Sequence, residues 1–318
     1  MTFVKKIPIF DKNLFSMPKK TILLILGLLI TGVAGYNFKT DPYTKEAVKN
    51  GFLNNYKVYA IPIPDSLQLV DEPVPVKQKD VRERIDRELL VNTYWQSNGL
   101  LLLKRKNKYF PVIESILKRE GVPDDFKYLA VAESGLQNIT SPAGAKGFWQ
   151  IMKKTGIELG LEINDEVDER YNLEKATVAA CRYLKKAKQQ YGSWTLAAAS
   201  YNAGMNKITK ELERQKADNY YDLLLNSETS RYVPRIIALK HILEHPKDFG
   251  FVFSKDDLYT PYESYEIKVD SGIDDLALFA KEHKMTYKEL KLLNPWLRSN
   301  KLTNKKAKTY SIKIIKKP

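Results

Sequence analysis

Residues 126–150 read FKYLAVAESGLQNITSPAGAKGFWQ, and the reading of this stretch decides the fold. Phe126, Leu129, Ala130 and Glu133 fall at i, i+3, i+4 and i+7, one face of a helix. The face expected to enter the core therefore carries a carboxyl. A carboxylate taken out of water is disfavoured, so such a group stays protonated, with a raised pKa. A carboxylic acid still protonated near neutral pH is what a general acid requires. The pattern also fits an acid at the edge of the stripe, near the helix end at Gly135, that is solvated or ion-paired.

Composition narrows the classes. The 318 residues are 43% hydrophobic and 28% charged, which suits folded domains rather than a disordered chain or a multi-span membrane protein. A single cysteine, Cys181, excludes an intrachain disulfide and reads as a small buried hydrophobe. Three scattered histidines, His241, His245 and His283, offer no zinc spacing, so no metal and no cofactor is expected. The net charge of +14 is concentrated at the two ends, which favours an anionic polymer or a membrane surface. No nucleic-acid motif accompanies it, and nothing points to a particular protein partner.

Residues 1–20 form a basic segment expected to stay in the cytoplasm, followed by the uncharged run 21–36. A basic flank before such a run is an export signal, either a transmembrane anchor or a cleaved signal helix. Everything beyond it is expected outside the cytoplasm, on the periplasmic side of the cell envelope. Residues 37–80 contain five prolines and read as a linker. Residues 81–247 read as one all-α domain, with helical patterns over Val81–Lys106, Tyr109–Arg119, the Glu133 stretch, Phe148–Gly156, Glu174–Tyr191, Trp194–Ala203 and Tyr232–Glu244. A second linker, 248–261, leads to residues 262–318, where strand, helix, helix and strand suggest a small α+β module. The fold class is thus mainly α, with a small α+β addition.

Three further clusters stand out. Gly147-Phe148-Trp149-Gln150 places an aromatic pair and an amide beyond a glycine-rich loop. Ser200-Tyr201-Asn202-Ala203-Gly204 ends a helix, and Glu228-Thr229-Ser230-Arg231-Tyr232-Val233 opens one. Each has a plain structural reading as core, C-cap or N-cap. Together they suggest a carbohydrate site, since amides and hydroxyls suit sugar hydroxyls and rings suit sugar C–H faces.

In that order, with Glu133-Ser134 first, these motifs resemble the soluble-lytic-transglycosylase (SLT) domain, related to goose-type lysozyme. The upstream segments Ile63–Ser66 and Glu88–Asn98 extend the resemblance to the membrane-bound lytic transglycosylase D group. Residues 265–312 resemble a LysM module, which binds peptidoglycan glycan strands. Its usual Gly-Asp-Thr-Leu turn is Ser271-Gly272-Ile273-Asp274 here, which leaves glycan binding and a purely structural docking role both open.

The resemblance implies a lysozyme-like catalytic domain acting on peptidoglycan, with Glu133 as the sole catalytic acid/base. Ser134 would orient the acid or the substrate. Gln150, Tyr201 and Asn202 would line sugar subsites near Ser141, and Glu228 and Tyr232 would close the opposite wall. Cleavage between N-acetylmuramic acid and N-acetylglucosamine would leave a 1,6-anhydro end without using water. Two alternatives remain at this stage: a hydrolytic muramidase of the same fold, and a non-catalytic wall-binding protein. Glu228 is expected to bond backbone or tyrosine groups rather than to attack.

Overall fold

A computed structural model describes residues 58–316. The expected anchor or signal segment, 21–36, lies outside them; among the described residues no helix is long and apolar enough to cross a membrane. The architecture is mainly helical, with two small sheets. A hairpin of β1 (Gln68–Leu69) and β2 (Glu72–Pro73) precedes α1 (Lys79–Tyr94) and α2 (Gln96–Glu120). Then come α3 (Lys127–Ser134), α4 (Lys153–Glu158), α5 (Leu173–Tyr191), α6 (Trp194–Ala203), α7 (Met205–Gln215) and α8 (Ser227–Glu244). The C-terminal module is β3 (Ser264–Val269), α9 (Leu276–Glu282), α10 (Tyr287–Leu293) and β4 (Tyr310–Ile315), with β3 and β4 antiparallel.

Helix α8 is the central packing element, in contact with α1, α3 and α6. Its interior Pro234 cannot donate to the carbonyl of Ser230, four residues back. That carbonyl instead accepts from the Tyr220 hydroxyl at 2.8 Å, so the helix continues without an orphaned acceptor. Helix α5 buries the stripe Ala176, Ala179, Ala180, Leu184 and Ala187. These small side chains allow close approach of α2 and α6.

Several boundaries differ from the sequence reading. The helical patterns over 81–106 and 109–119 divide at Trp95, not between them. The charged run Lys104–Lys108 continues α2, because its side chains find partners: Arg105 donates to the Gly135 carbonyl at 3.1 Å. The short helix expected over Phe148–Gly156 begins only at Lys153, because Lys146 and Ile151 form a bridge instead. Helix α8 begins five residues before Tyr232, capped by Asn226, whose Oδ1 accepts from Thr229 N at 2.9 Å. Helix α7 was not anticipated.

Neither expected linker is free-running where it is described. Leu69, Val74 and Val76, from the 37–80 stretch, are buried in the helical core. In the 248–261 stretch, Phe251 is buried against α2. A Cβ on Gly99 would lie 2.4 Å from its ring, so that glycine is the seat for the phenylalanine. Glu72, also in the first stretch, reaches the start of α6. It accepts from Ser193 Oγ and Thr195 N at 2.8 Å each, and from Trp194 N. Burial alone would raise the Glu72 pKa, but these hydrogen bonds outweigh it and hold the carboxyl below its ordinary value. Glu72→Ala should therefore cost about 1–2 kcal/mol by chemical denaturation at neutral pH. Because the folded-state pKa is depressed, that difference should be present above the ordinary glutamate range and shrink as pH falls through the folded value. An unchanged midpoint at pH 7 would remove Glu72 from the capping role.

Candidate active site

Helix α3 is short and ends at the left-handed Gly135 (φ 59°), whose N–H caps the Val131 carbonyl at 2.8 Å. Leu136 is left-handed too, so the chain turns away at once and leaves Glu133 on the last turn. Tyr128, Leu129, Ala130 and Val131 are buried beneath it. Glu133 is half-buried. It keeps an opening to the surface, yet protein atoms crowd it enough that burial dominates its titration.

Burial pushes the Glu133 pKa up to about 7. The Tyr232 hydroxyl, which donates to Oε1, and the charge of Arg235 pull the other way, while Glu228 adds a smaller upward push. Arg235 is itself held 3.3 Å from the buried Glu88 of α1. Tyr232 and Tyr201 are driven well above the usual tyrosine range, by burial first and then by the nearby Glu133 charge. Both phenols therefore stay protonated and can act only as neutral donors or acceptors here.

Of the residues singled out from sequence, Glu133, Tyr232 and Tyr201 converge. Tyr201 donates to the Trp149 carbonyl at 2.8 Å. Asn202 and Glu228 form a pair: Asn202 Nδ2 donates to Glu228 Oε1 at 3.1 Å, and Thr229 Oγ1 donates to Asn202 Oδ1 at 2.9 Å. Glu228 is exposed and bonds an amide side chain, rather than the backbone or a tyrosine as expected. Gln150 has a positive φ of 45°, a strained backbone for a side chain of this type. Its Nε2 donates to the Gly147 and Ile139 carbonyls at 2.7 and 3.2 Å. Among the described residues nothing donates to its Oε1, which stays available as an acceptor.

Ser134 and Ser141 both bond the backbone. Ser134 is buried, and its hydroxyl donates to the Phe148 carbonyl at 2.8 Å, so it ties the end of α3 beside Glu133 to the 147–150 loop. Ser141 Oγ accepts from Ala145 N at 3.0 Å and closes its own turn. The aromatic pair is likewise core: Phe148 is buried against Tyr109, and Trp149 is fully buried with its indole N–H on Thr177 Oγ1 at 2.8 Å. Sequence reasoning missed Arg235, which lies on the same helix as Tyr232 at i+3 and was legible from that spacing. It also missed Arg170. That guanidinium is buried, paired bidentately with Asp168 at 2.9 and 2.7 Å, and donates to the Gly144 and Ile151 carbonyls at 3.3 Å each.

Comparison with known proteins bears on this geometry. A family model described as the transglycosylase SLT domain matches residues 110–224, and one described as the soluble lytic transglycosylase C-terminal LysM-like domain matches residues 265–318. The chain carries an SLT domain and a LysM-like domain. The SLT match includes Glu133, Gln150, Tyr201 and Asn202 and ends before α8, which brings Tyr232 and Glu228. The chain is 32% identical over 176 residues to membrane-bound lytic murein transglycosylase D of Escherichia coli strain K12, and equally to that of strain O6:H1. These alignments cover 54% of this chain and 38% of each relative, so the chain spans well under half of their length. Among solved structures, the 70 kDa soluble lytic transglycosylase of Escherichia coli matches 48% of this chain and 27% of its own, at 21% identity and a TM-score of 0.38. A likeness that low decides nothing about the fold.

The raised pKa has a stability consequence. The folded state resists ionising Glu133, so its contribution is full below the ordinary glutamate value of 4.5 and is lost as pH rises to about 7. Glu133→Gln keeps an acceptor for Tyr232 but cannot ionise. From below pH 4.5 to pH 8 the variant should gain on the parent by something on the order of 3 kcal/mol in urea unfolding. Parallel stability–pH curves would mean that Glu133 titrates normally.

Proposed function

We propose that this protein is a peptidoglycan lytic transglycosylase with Glu133 as its single acid/base. The observation that carries the reading is a crowded carboxyl whose pKa lies near 7, bonded on one oxygen by Tyr232, inside a stretch that matches the SLT domain. With Oε1 accepting from Tyr232, the carboxyl proton belongs on Oε2. That proton passes to the glycosidic oxygen joining N-acetylmuramic acid to N-acetylglucosamine, and the bond from that oxygen to the muramic carbon 1 breaks. Positive charge develops at carbon 1. The Glu133 carboxylate then takes the proton of the same sugar's 6-hydroxyl, and that oxygen closes onto carbon 1. Acid and base are restored to one residue, and no water is consumed. The 6-hydroxyl is tethered to the reacting ring, which favours it over solvent.

Hydrolysis with inversion would place a second carboxylate across the bond, about 6.5–9.5 Å from the first, with a water between. Glu228 is the other carboxylate whose charge reaches Glu133, and its bond to Asn202 supports a role in the wall. Gln150 Oε1 and the Asn202 amide would take sugar hydroxyls or acetamido groups. Residues 21–36 would hold the protein at the periplasmic face of the membrane, or direct its export if they are removed. The LysM-like domain would meet the same glycan strands.

The test is the product. Purified sacculi digested with the protein should release muropeptides of 1,6-anhydro mass, and Glu133→Gln should release none while remaining folded. Products heavier by one water would replace this reading with a muramidase. Full activity in the Gln variant would remove Glu133 from the chemistry.

A further inference from the structure

The LysM-like domain is docked on a short segment of the SLT domain, residues 162–171. Val167 and Tyr171 sit inside the LysM-like core. Asp168 N donates to the Trp296 carbonyl at 2.9 Å, and Arg298 N donates to the Glu166 carbonyl at 2.7 Å. The Arg298 guanidinium lies 4.2 Å over the Tyr171 ring, and Thr303 bonds the Glu166 carboxylate through N and Oγ1 at 2.6 Å each.

The other side of the same segment holds the loop 138–151. Arg170, fixed by Asp168, donates to the Gly144 and Ile151 carbonyls. Asn138 Nδ2 donates to the Tyr171 carbonyl at 3.1 Å, and Thr140 meets the Tyr171 hydroxyl at 2.9 Å. Gly147 rests on the Arg170 carbonyl so closely that a Cβ would lie 1.9 Å from its oxygen. This loop carries Gln150 and is tied at Phe148 to Ser134, the neighbour of Glu133.

We infer that the LysM-like domain braces the active-site loop, with Arg170 the positioning residue that carries its hold to residues 138–151. The inference rests on the proposed transglycosylase reading for its kinetic consequence, but not for its structural one. A module that only gathers glycan would affect how much substrate is held; a brace also sets the geometry at which bound substrate reacts.

The experiment uses the full chain, with the double variant Glu166→Ala/Arg298→Ala and, separately, Arg170→Lys. The latter leaves the module contacts alone and keeps a cation for Asp168, but loses the forked bonds to Gly144 and Ile151. Hydrogen–deuterium exchange should show loss of protection over 138–151 in both, with α5 and α8 as protected as in the parent. On soluble uncrosslinked glycan strands, kcat should fall about tenfold or more while KM changes little. Unchanged exchange over 138–151, or a loss confined to KM, overturns the brace. If α5 and α8 lose protection with the loop, the segment is a general stability element and the brace is also overturned. If the parent releases no product, the enzymatic reading fails, while the exchange experiment still decides the inference.

Discussion

The structure turns on the contact between Glu133 at the end of α3 and Tyr232 on α8. A carboxyl this crowded is tolerable in two ways: it keeps its proton, or it is given enough donors and positive charge to ionise. Here the two are nearly matched. One hydroxyl and one partly screened guanidinium pull the pKa down, and burial pushes it up further than they can pull. The result is an acid poised to give up a proton and take one back. Arg235 is paired with the buried Glu88, and its charge still lowers the Glu133 pKa without a direct ion pair between the two among the described residues.

The surrounding architecture serves this balance. Tyr201 and Ser134 both bond carbonyls of the 148–149 segment, so the walls around Glu133 are joined through one loop. That loop is held from behind by Arg170, whose guanidinium satisfies two loop carbonyls at once. Polar groups buried this way specify a single arrangement because each would be costly to leave unpaired. The strained Gln150 backbone persists where this network fixes its neighbours on both sides.

Much of this was legible in the sequence where periodicity is strong. Helix α6 has the boundaries read from its alanine pattern, and α5 differs by one residue at its start. The acid on the apolar stripe was visible because helical spacing alone places Glu133 with Leu129 and Ala130. What sequence could not reveal were long-range partners. Ser134 and the Phe148-Trp149 pair looked like site groups because their chemistry suits sugars. Their actual partners, the Phe148 carbonyl, Tyr109 and Thr177, lie 14 to 39 positions away. The two proline-containing stretches looked like linkers because their apolar residues follow no helical or strand period, yet Leu69, Val74 and Val76 in one and Phe251 in the other seat them on the core. Docking of the C-terminal module at Val167 and Tyr171 joins residues more than a hundred positions apart, part of it through a backbone bridge between Val167 and Leu297, and no local periodicity marks it.

The role proposed for Glu133 rests on its protonation state, and infrared difference spectroscopy reads it directly. Spectra of the parent minus Glu133→Gln, taken across the pH range, isolate the carboxylic C=O stretch of that one group. The band should persist through mildly acidic pH and disappear at about 7. A band that vanishes near the ordinary value of 4.5 would show an acid already ionised at neutral pH, unable to protonate a leaving oxygen, and would contradict the proposed role of Glu133.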